Sequence, residues 1–295
     1  MAETVLITGA SGLIGRHLSV LLKANGYRVL TLSRNPRVEG SFEWKPEKGF
    51  LDPESLRKTD HIIHLAGAGI GDSRWTEARK KEILDSRVLS CELLYQKCMD
   101  IGMPLKTFVS ASAVGYYGDG DAVSEEAPAG EGFLASVCQQ WEQAADRFEM
   151  AGARTVKIRT GIVLASDGGI LPQMALPIRL GFGFAFGNGK QFIPWIHIDD
   201  LCLLYMQAVQ NENWTGAYNA VAPDSVTNGT FTKILAAFFH RPFWPVSIPA
   251  FLVRWLLGER SELLLKGSKV QSVRLPEGTF RFANLSSAVA DIYSK

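Results

Sequence analysis

The sequence predicts an α/β fold, a doubly wound parallel sheet with a smaller mixed lobe toward the carboxyl end. Short β-branched runs alternate with segments of helical period through the first half, which is typical of parallel strands covered by helices on both faces. A glycine-rich turn follows the first run directly and opens the first helix. After Ala165 the alternation gives way to prolines and a glycine–aromatic stretch, residues 181–187, which suits loops around a ligand or a small second core.

The elements of the first half follow in order from these patterns. The first helix carries Leu18, Leu21 and Leu22 on one face and ends at Asn25 and Gly26, a helix stop signal. The predicted strands are Thr4–Thr8, Arg28–Leu32, Asp60–Ala66, Thr107–Ser112 and Thr155–Leu164, and the predicted helices are Leu13–Ala24, Trp75–Asp100 and Leu134–Met150.

The second half is predicted to return to the first sheet. Strands over Ile193–Ile198 and Ala217–Val221 flank a helix over Asp199–Gln210. His197 lies beside two acids in this segment, but we favour a structural interpretation in which Asp199 caps the helix.

The end of the chain is predicted to be a compact helical tail, with helices over Phe251–Leu257 and Glu262–Lys266. Its apolar side chains, which include Phe251, Leu252 and Leu256, exceed what a solvated extension exposes. We therefore expect them to pack against the apolar residues of 171–192.

Composition excludes several classes of protein. The 295 residues carry 31 basic and 30 acidic side chains, a net charge of +1, so no basic field favours nucleic acid or a membrane surface. The longest apolar run, Ile248–Leu257, is too short to span a bilayer and contains Arg254. No signal peptide pattern is present, so a cytoplasmic protein is expected. The 4 cysteines have neither disulfide-framework nor zinc-site spacing, and no metal site is predicted.

The glycine turn is the strongest local signal for function. Gly9 permits the tight turn, Gly12 lets the backbone approach a pyrophosphate, and Gly15 allows close packing, while free N–H groups at the helix start attract the anion. A turn without a ligand is the alternative, but the position between first strand and first helix favours a dinucleotide. The chain then divides into a Rossmann-type dinucleotide-binding domain, residues 1–165 with elements returning from about 190–222, and a substrate lobe, residues 166–295 with a tail at about 248–293.

The end of the second strand indicates which dinucleotide is bound. Sites specific for NAD place an acid there to hold the ribose 2′-hydroxyl, whereas this chain has Ser33 and Arg34. A guanidinium donates charge-assisted, bidentate hydrogen bonds to a phosphate, so NADP(H) is favoured over NAD(H). A surface arginine at the start of a loop would give the same sequence pattern without a cofactor. Arg37 is an alternative to Arg34 as the residue that binds the 2′-phosphate.

The chain resembles the extended short-chain dehydrogenase/reductase family along nearly its whole length. The matching segments are TGASGLIG (8–15), HLAGA (64–68), SASAVGYYG (110–118), IRTGIVL (158–164), PWIHIDDL (194–201) and YNAVAP (218–223). Three further segments are similar to its atypical, sugar-epimerase-like branch, the short-chain family 39U type: DSRVLS (85–90), FLASVCQQWE (133–142) and the tail from Pro249 to Val270. The resemblance implies a small-molecule substrate, for which a nucleotide sugar is a candidate, and a homodimer.

The resemblance also implies site residues. The cofactor positions it implies are Gly9, Ser11, Gly12, Leu13, Ile14 and Gly15 for the phosphates, Ser33 and Arg34 for the 2′-phosphate, Leu65, Ala66, Gly67 and Ala68 beside the adenine and ribose, Ser86 or Arg87 near the cofactor, and Arg159 beside the nicotinamide. The catalytic serine of the family falls on Ser112, with Tyr116 and Tyr117 just beyond it.

The Tyr-x-x-x-Lys pair of the family is absent. None of the 7 tyrosines has a lysine four places on, and the expected positions fall at about Leu134 and Cys138. Leucine transfers no proton, so the standard mechanism cannot operate there. Cys138 near a helix start is a candidate because the helix dipole favours thiolate, although an isolated cysteine is more often a small core residue.

Two functions remain open from the sequence. In the first, the chain is an NADP(H)-dependent oxidoreductase or nucleotide-sugar epimerase whose proton donor has moved, with Ser112 polarising a substrate oxygen and Tyr116 or Tyr117 as the acid. In the second, it is a catalytically weak NADP(H)-binding redox sensor or regulatory protein that acts through a partner. The polar set near Ser112 favours the enzyme.

Overall fold

The structure is a computed structural model that describes residues 2–119 and 122–294. The strands are β1 Thr4–Thr8, β2 Arg28–Ser33, β3 Ser41–Lys45, β4 Phe50–Leu51, β5 His61–His64, β6 Thr107–Ala113, β7 Arg154–Thr160, β8 Ile162–Leu164, β9 Phe192–Ile193, β10 Trp195–His197, β11 Gly216–Ala220 and β12 Val226–Thr227. The α-helices are α1 Leu13–Ala24, α2 Glu77–Asp100, α3 Phe133–Met150, α4 Leu171–Arg179, α5 Ile198–Gln210, α6 Asn228–Phe238, α7 Ala250–Leu257, α8 Glu262–Leu265 and α9 Leu285–Ser294.

Within the described residues, one 8-stranded sheet has the order β11-β7-β6-β5-β1-β2-β3-β4. Its strands are parallel except for the β3–β4 pair. β1 pairs with β2 on one side and with β5 on the other, so the strand order reverses at β1. In such sheets ligands bind in the crevice at the carboxyl ends of the strands beside the reversal. The predicted doubly wound α/β fold is confirmed.

Both faces of the sheet are buried, which explains the nearly continuous apolar runs of the strands. On one face α1 and α5 pack through Leu18, Leu22 and Tyr205 against β1 and its neighbours. On the other face α2 and α3 pack against β5 and β6, and the rings of Phe108 and Phe148 stack 3.7 Å apart. A separate cluster joins α4, α6 and α9 around β8 and Trp195. None of the described helices is both long and apolar enough to span a bilayer.

Two predicted strands are each divided by the fold. The run predicted over Thr155–Leu164 breaks at Gly161, after which β8 leaves the main sheet and pairs with β10. A Cβ at Gly161 would lie 2.7 Å from the Pro194 carbonyl oxygen, so only glycine allows this crossing. The run predicted over Ile193–Ile198 breaks at Pro194, because β9 pairs with β12 while β10 pairs with β8. The hydrophobic periodicity of the sequence does not show with which strand a segment pairs.

The predicted cap of α5 is wrong. His197, not Asp199, is the capping residue, since its Nδ1 accepts a hydrogen bond from the Asp199 backbone N–H at 3.1 Å. Asp199 lies in the first turn, where a negative charge suits the helix dipole. Asp200 instead accepts from the backbone N–H groups of Arg281 and Phe282, both at 3.0 Å, and so holds the chain that leads into α9.

The expected packing of the tail is also wrong for α7. Phe251, Trp255 and Leu256 expose 66%, 80% and 62% of their surface, while Val253 is buried. The tail contacts residues 171–192 through its backbone and through α8 rather than through these side chains. The backbones of Phe186 and Ile248 pair in an isolated β-bridge, and the Gln191 side chain donates a hydrogen bond to the Leu264 carbonyl. The burial of the carboxyl end comes from α9, which lies at the end of the predicted helical tail but is not one of the two helices predicted within it.

Deleting residues after Ser247 should unfold the cluster around α4, α6 and β8. The deletion removes Leu285, Val289 and Ile292 of α9, which are buried in that cluster, and exposes the facing side chains of α6. We expect an insoluble or partly unfolded product by circular dichroism and thermal melting. The matched control, Phe251→Ser with Trp255→Ser, should keep the parent melting temperature because both side chains are exposed. A sharp, unshifted transition in the truncated protein would contradict this assignment.

Candidate functional site

The glycine turn lies at the carboxyl end of β1, at the edge where the strand order reverses. Gly9 has a φ of +67°, and a Cβ on Gly15 would lie 2.5 Å from the Gly9 carbonyl oxygen. Gly15 therefore permits the turn to close on its own helix. α1 begins after Gly12 without a side-chain cap, so the first N–H groups of the helix are free to bind an anion. Ser11 and Gly12 are exposed, whereas Leu13 and Ile14 are half-buried.

Beside this turn, the loop of residues 65–68 leaves β5 and is held by Thr8. The Thr8 hydroxyl accepts hydrogen bonds from the Leu65 and Ala66 N–H groups, both at 3.0 Å. It donates to His64 Nδ1 at 2.9 Å, which leaves the ring proton on Nε2 facing Ser90 Oγ at 3.2 Å. Complete burial lowers the pKa of His64 to about 4, so the ring is neutral at neutral pH.

Ser86 and Arg87 hold the other end of the same loop. Ser86 Oγ accepts from the Ala68 N–H at 2.9 Å, and Arg87 Nη2 donates to the Ala68 carbonyl at 3.1 Å. A Cβ on Gly67 would lie 2.9 Å from Arg87 Cζ, so the glycine leaves room for the guanidinium. The structure thus brings these predicted cofactor residues to one crevice.

Ser33 and Arg34 lie at the end of β2, next to the turn. Ser33 Oγ accepts from the Asn35 backbone N–H at 3.1 Å. Arg34 is exposed, and no carboxylate of the described residues lies within ion-pair distance of it. Its guanidinium is therefore available to an incoming anion. Arg37 is exposed on the same loop.

Behind the crevice, Ser112 belongs to a buried polar network. Its hydroxyl donates to Glu142 Oε1 at 2.7 Å, and the guanidinium of Arg159 binds both oxygens of Glu142 at 2.8 Å. All three side chains are buried. Burial alone would lower the pKa of Arg159, but its hydrogen bonds to Glu142 raise the pKa above its ordinary value. The bidentate contact fixes β6, α3 and β7 relative to one another.

The network continues through the two tyrosines. Arg159 Nη1 donates to the Tyr117 hydroxyl at 2.8 Å, which donates to Asn219 Oδ1 at 2.7 Å. Burial raises the pKa of Tyr117, so the phenol stays protonated. The Arg159 guanidinium also lies over the Tyr116 ring, 3.5 Å from its centre. The Arg159 guanidinium and the Tyr117 hydroxyl therefore both have hydrogen-bond partners within the protein.

A cavity of about 250 Å³ opens in front of this network. It lies between the 3-10 turn Val114–Tyr117, the start of α3, the Gly161 break and residues 262–270. Its walls are mostly apolar and include Val114, Phe133, Ile162, Met174, Leu263 and Val270. Arg87 and Trp141 also line it, whereas Ser112, Tyr116, Tyr117 and Arg159 are not among its lining residues.

Leu134 and Cys138, the positions expected for the missing pair, both line this cavity. They lie one turn apart on α3 and face the 3-10 turn, since a Cβ on Gly115 would lie 3.4 Å from Leu134 Cβ and 3.9 Å from Cys138 Sγ. Burial raises the pKa of the Cys138 thiol to about 12, which outweighs the effect of the helix start. The thiol is therefore protonated at neutral pH.

Sequence reasoning missed several residues that organise the site. Glu142 and Asn219 join Ser112, Tyr117 and Arg159 only because the sheet places their elements side by side. Glu142 stood in the motif FLASVCQQWE, and a lone acid on an otherwise apolar helix face was the available signal. For His64, at the end of a fully buried strand, the signal was a titratable residue inside an apolar run.

The buried His64 should make the protein acid-sensitive. Its pKa of about 4 lies below the 6.5 of an unfolded histidine, so the unfolded state binds a proton first as pH falls. The contribution of the neutral His64 ring to the free energy of unfolding is fully present above pH 6.5. It is lost as the pH falls toward 4, by an amount on the order of 3 kcal/mol. Urea unfolding from pH 7 to 4 measures this. His64→Gln should make the free energy of unfolding depend less steeply on pH. His17→Gln, the control at a partly exposed histidine, should keep the pH dependence of the parent protein. The same pH dependence in all three proteins would contradict the role of His64.

Comparisons with known proteins agree with this geometry. Residues 5–220 match the NAD dependent epimerase/dehydratase family, and residues 248–292 match a domain of unknown function, DUF1731. The Mycobacterium leprae epimerase family protein ML0860 is 36% identical over 282 residues, 94% of this chain and 91% of that protein. The crystal structure of human epimerase family protein SDR39U1 (isoform 2) with NADPH has a TM-score of 0.88 at 33% identity and covers 99% of this chain and 100% of that chain.

The nucleoside-diphosphate sugar epimerase from Corynebacterium glutamicum is also similar, with a TM-score of 0.82 at 33% identity, but this chain spans 58% of that chain. The resemblance to the atypical, epimerase-like branch of the extended short-chain dehydrogenase/reductases is confirmed. The match over residues 5–220 contains the glycine turn, the Ser112 strand and the returning strand β11. This chain belongs to the NAD dependent epimerase/dehydratase family.

Proposed function

We propose that this chain is an NADP(H)-binding oxidoreductase of the epimerase-like branch, acting on a small molecule in the apolar cavity. The observation that carries the proposal is the adjacency of two features at one sheet edge. The glycine turn follows β1, and the cavity begins where β6 and β7 end, at Ala113 and Thr160. In this proposal residues 1–165 bind the dinucleotide and residues 166–295 complete the substrate side.

The residues at the crevice fit a dinucleotide. The Gly9 turn leaves no space for a Cβ on Gly15 and offers uncapped N–H groups at the start of α1, which suit a pyrophosphate. The proposed cofactor residues are Gly9, Ser11, Gly12, Leu13, Ile14 and Gly15 for the phosphates, Leu65, Ala66, Gly67 and Ala68 along the adenine and ribose, Ser86 or Arg87 near the cofactor, and Arg159 beside the nicotinamide. For Arg159 the proposed contribution is indirect, through the position of Tyr116 and Tyr117.

The choice of NADP(H) rests on the end of β2. Arg34 is exposed there without a carboxylate partner among the described residues, and no acid occupies the position that holds a ribose 2′-hydroxyl. The similar human structure was crystallised with NADPH, which supports the same cofactor for this chain. The cofactor supplies a hydride when bound.

The proton donor has several candidates, and the hydrogen bonds described above favour none of them directly. Ser112, Tyr116, Tyr117 and Cys138 stay the predicted catalytic residues. The Ser112 and Tyr117 hydroxyls have internal hydrogen-bond partners, so either must exchange a partner to reach a substrate oxygen. The Cys138 thiol lines the cavity in its protonated form. Such a site is expected to transfer protons slowly.

A nucleotide sugar is the substrate class suggested by the Corynebacterium glutamicum relative. A homodimer is proposed only because it is common in the family.

The cavity offers a diphosphate few cations, because Lys266 at its mouth is paired with Glu262 at 3.0 Å, and Asp119 and Glu131 also line it. This charge pattern favours a substrate with less negative charge than a diphosphate carries.

The second candidate function, an NADP(H)-binding regulatory protein that acts through a partner, is supported by α7. Phe251, Trp255 and Leu256 expose most of their surface, and they lie next to one another on a short helix. Exposed apolar patches of this kind mark interaction sites. The two candidates differ in turnover, since only the first converts a small molecule.

Arg34→Asp should weaken NADPH binding and remove the preference for NADPH over NADH. The loss of a charge-assisted hydrogen bond to the 2′-phosphate corresponds to ~1.5–3 kcal/mol, roughly 10- to 150-fold in Kd. Titration calorimetry with both dinucleotides measures the effect. Arg37→Asp is the matched control and should retain most of the preference. Equal affinity of the parent protein for NADPH and NADH would overturn the assignment.

Turnover should be slow. We expect rates of NADPH oxidation with carbonyl compounds, and of nucleotide-sugar conversion, well below the ~10 s⁻¹ of a typical enzyme. The reason is that Leu134 holds no proton and the Cys138 thiol does not ionise near neutral pH. Nicotinamide absorbance follows the first reaction and product chromatography the second. Fast turnover that persists in a Tyr116→Phe, Tyr117→Phe double variant would contradict both the relocated donor and the weak catalyst.

A further inference from the structure

Two buried hydrogen-bond donors on the cavity wall lack an acceptor. Arg87 Nε and Trp141 Nε1 have no hydrogen-bond partner among the described residues, although both side chains are more than nine-tenths buried. Both residues line the cavity, and Arg87 Cζ lies 5.0 Å from the centre of the Trp141 ring. Buried donors without acceptors are rare in native proteins, and these two mark the Arg87 side as a polar part of a mostly apolar cavity wall.

The charge of Arg87 is also uncompensated. Within the described residues no carboxylate lies within 4.0 Å of its guanidinium, which donates only to the Ile83 and Ala68 carbonyls. The other deeply buried arginine, Arg159, is neutralised by both oxygens of Glu142. A buried cation without a counter-charge is costly unless an anion completes the site. The difference between these two arginines is that Arg87 lines the cavity and Arg159 does not.

We infer that Arg87, proposed above as a residue near the cofactor, also binds the substrate, and that the cavity takes a small apolar carboxylate, with the carboxylate on the Arg87 guanidinium and the apolar body between α3 and residues 262–270. An arginine has five N–H donors, of which only two meet protein acceptors here, so donors remain for a carboxylate. One buried cation matches one negative charge. The second cation on the cavity wall, Lys266, is exposed and paired with Glu262.

The size and lining of the cavity agree with this ligand class. Its volume of about 250 Å³ exceeds the ~150 Å³ of a cavity that binds one benzene ring, so a ring with a short acid chain fits. Leu134, Val137 and Leu263 supply apolar contacts, and Gly67 leaves the space in which the guanidinium lies. The inference rests on the proposed function only in treating this cavity as the substrate side of the site.

The test compares 3-phenylpropionate with its neutral amide, 3-phenylpropionamide, on NADPH-saturated protein by titration calorimetry. The parent should bind the carboxylate about tenfold more tightly or better, because a charge-assisted hydrogen bond replaces a neutral one. Arg87→Met should abolish the preference, Arg87→Lys should retain part of it, and Lys266→Gln, the control at the cavity mouth, should retain all of it. The comparison within the parent protein requires no variant to fold.

Three results would overturn the inference: equal binding of acid and amide by the parent, a preference that survives in Arg87→Met, or tighter competitive binding of UDP-glucose. NADPH affinity is measured separately for every variant. If Arg87→Met weakens NADPH binding and leaves the carboxylate preference unchanged, Arg87 contacts the cofactor alone and the inference fails. If the parent binds no NADPH, the proposed function fails, while the carboxylate preference is still measured without the cofactor.

Discussion

The buried pair of Glu142 and Arg159 is the contact on which the site depends. A carboxylate on α3 and a guanidinium on β7 meet in bidentate geometry, and each has a further partner, Ser112 on β6 and Tyr117 in the 3-10 turn. From Tyr117 the network reaches Asn219 on β11, whose backbone N–H donates to Glu125 at 2.9 Å. Removing one member of a buried pair leaves an uncompensated charge and typically costs ~3–5 kcal/mol. The arrangement therefore holds five segments in one geometry.

Glu125 carries this constraint to the end of the chain. Its carboxylate accepts hydrogen bonds from Ser272 Oγ and the Val273 N–H, both at 3.0 Å, and the Asn219 side chain donates to the Gln271 carbonyl. The segment that follows α8 is thus attached to the main sheet through polar contacts in addition to the buried apolar side chains of Val270 and Leu275. Because residues 262–270 form one wall of the cavity, the network also positions this wall relative to the strand ends.

The chain has the fold of its family, and α3 forms one wall of the cavity. α3 presents Leu134 and Cys138 to the cavity, the positions at which the sequence resemblance leads us to expect the tyrosine and lysine of the family. The buried positive charge on the cavity wall comes from α2, through Arg87, whereas Lys266 is exposed and paired with Glu262. The polar residues behind the wall serve to hold strands and helices together. The sequence has no tyrosine with a lysine four places on, which is the basis for proposing other proton donors.

The sequence by itself determined the alternation of strands and helices, the glycine turn and the absence of an acid after β2, because each depends on local spacing and on residues close in the chain. It did not determine the division of two predicted strands, the exposure of Phe251 and Trp255, or the burial of α9, because these depend on which distant segment each element contacts. The same holds for the site. Ser112, Tyr117 and Arg159 stood in recognisable motifs, but only the sheet order brings Glu142 between them and leaves Arg87 without a counter-charge, since hydrogen bonds and charge pairs form between residues that the chain separates by tens of positions.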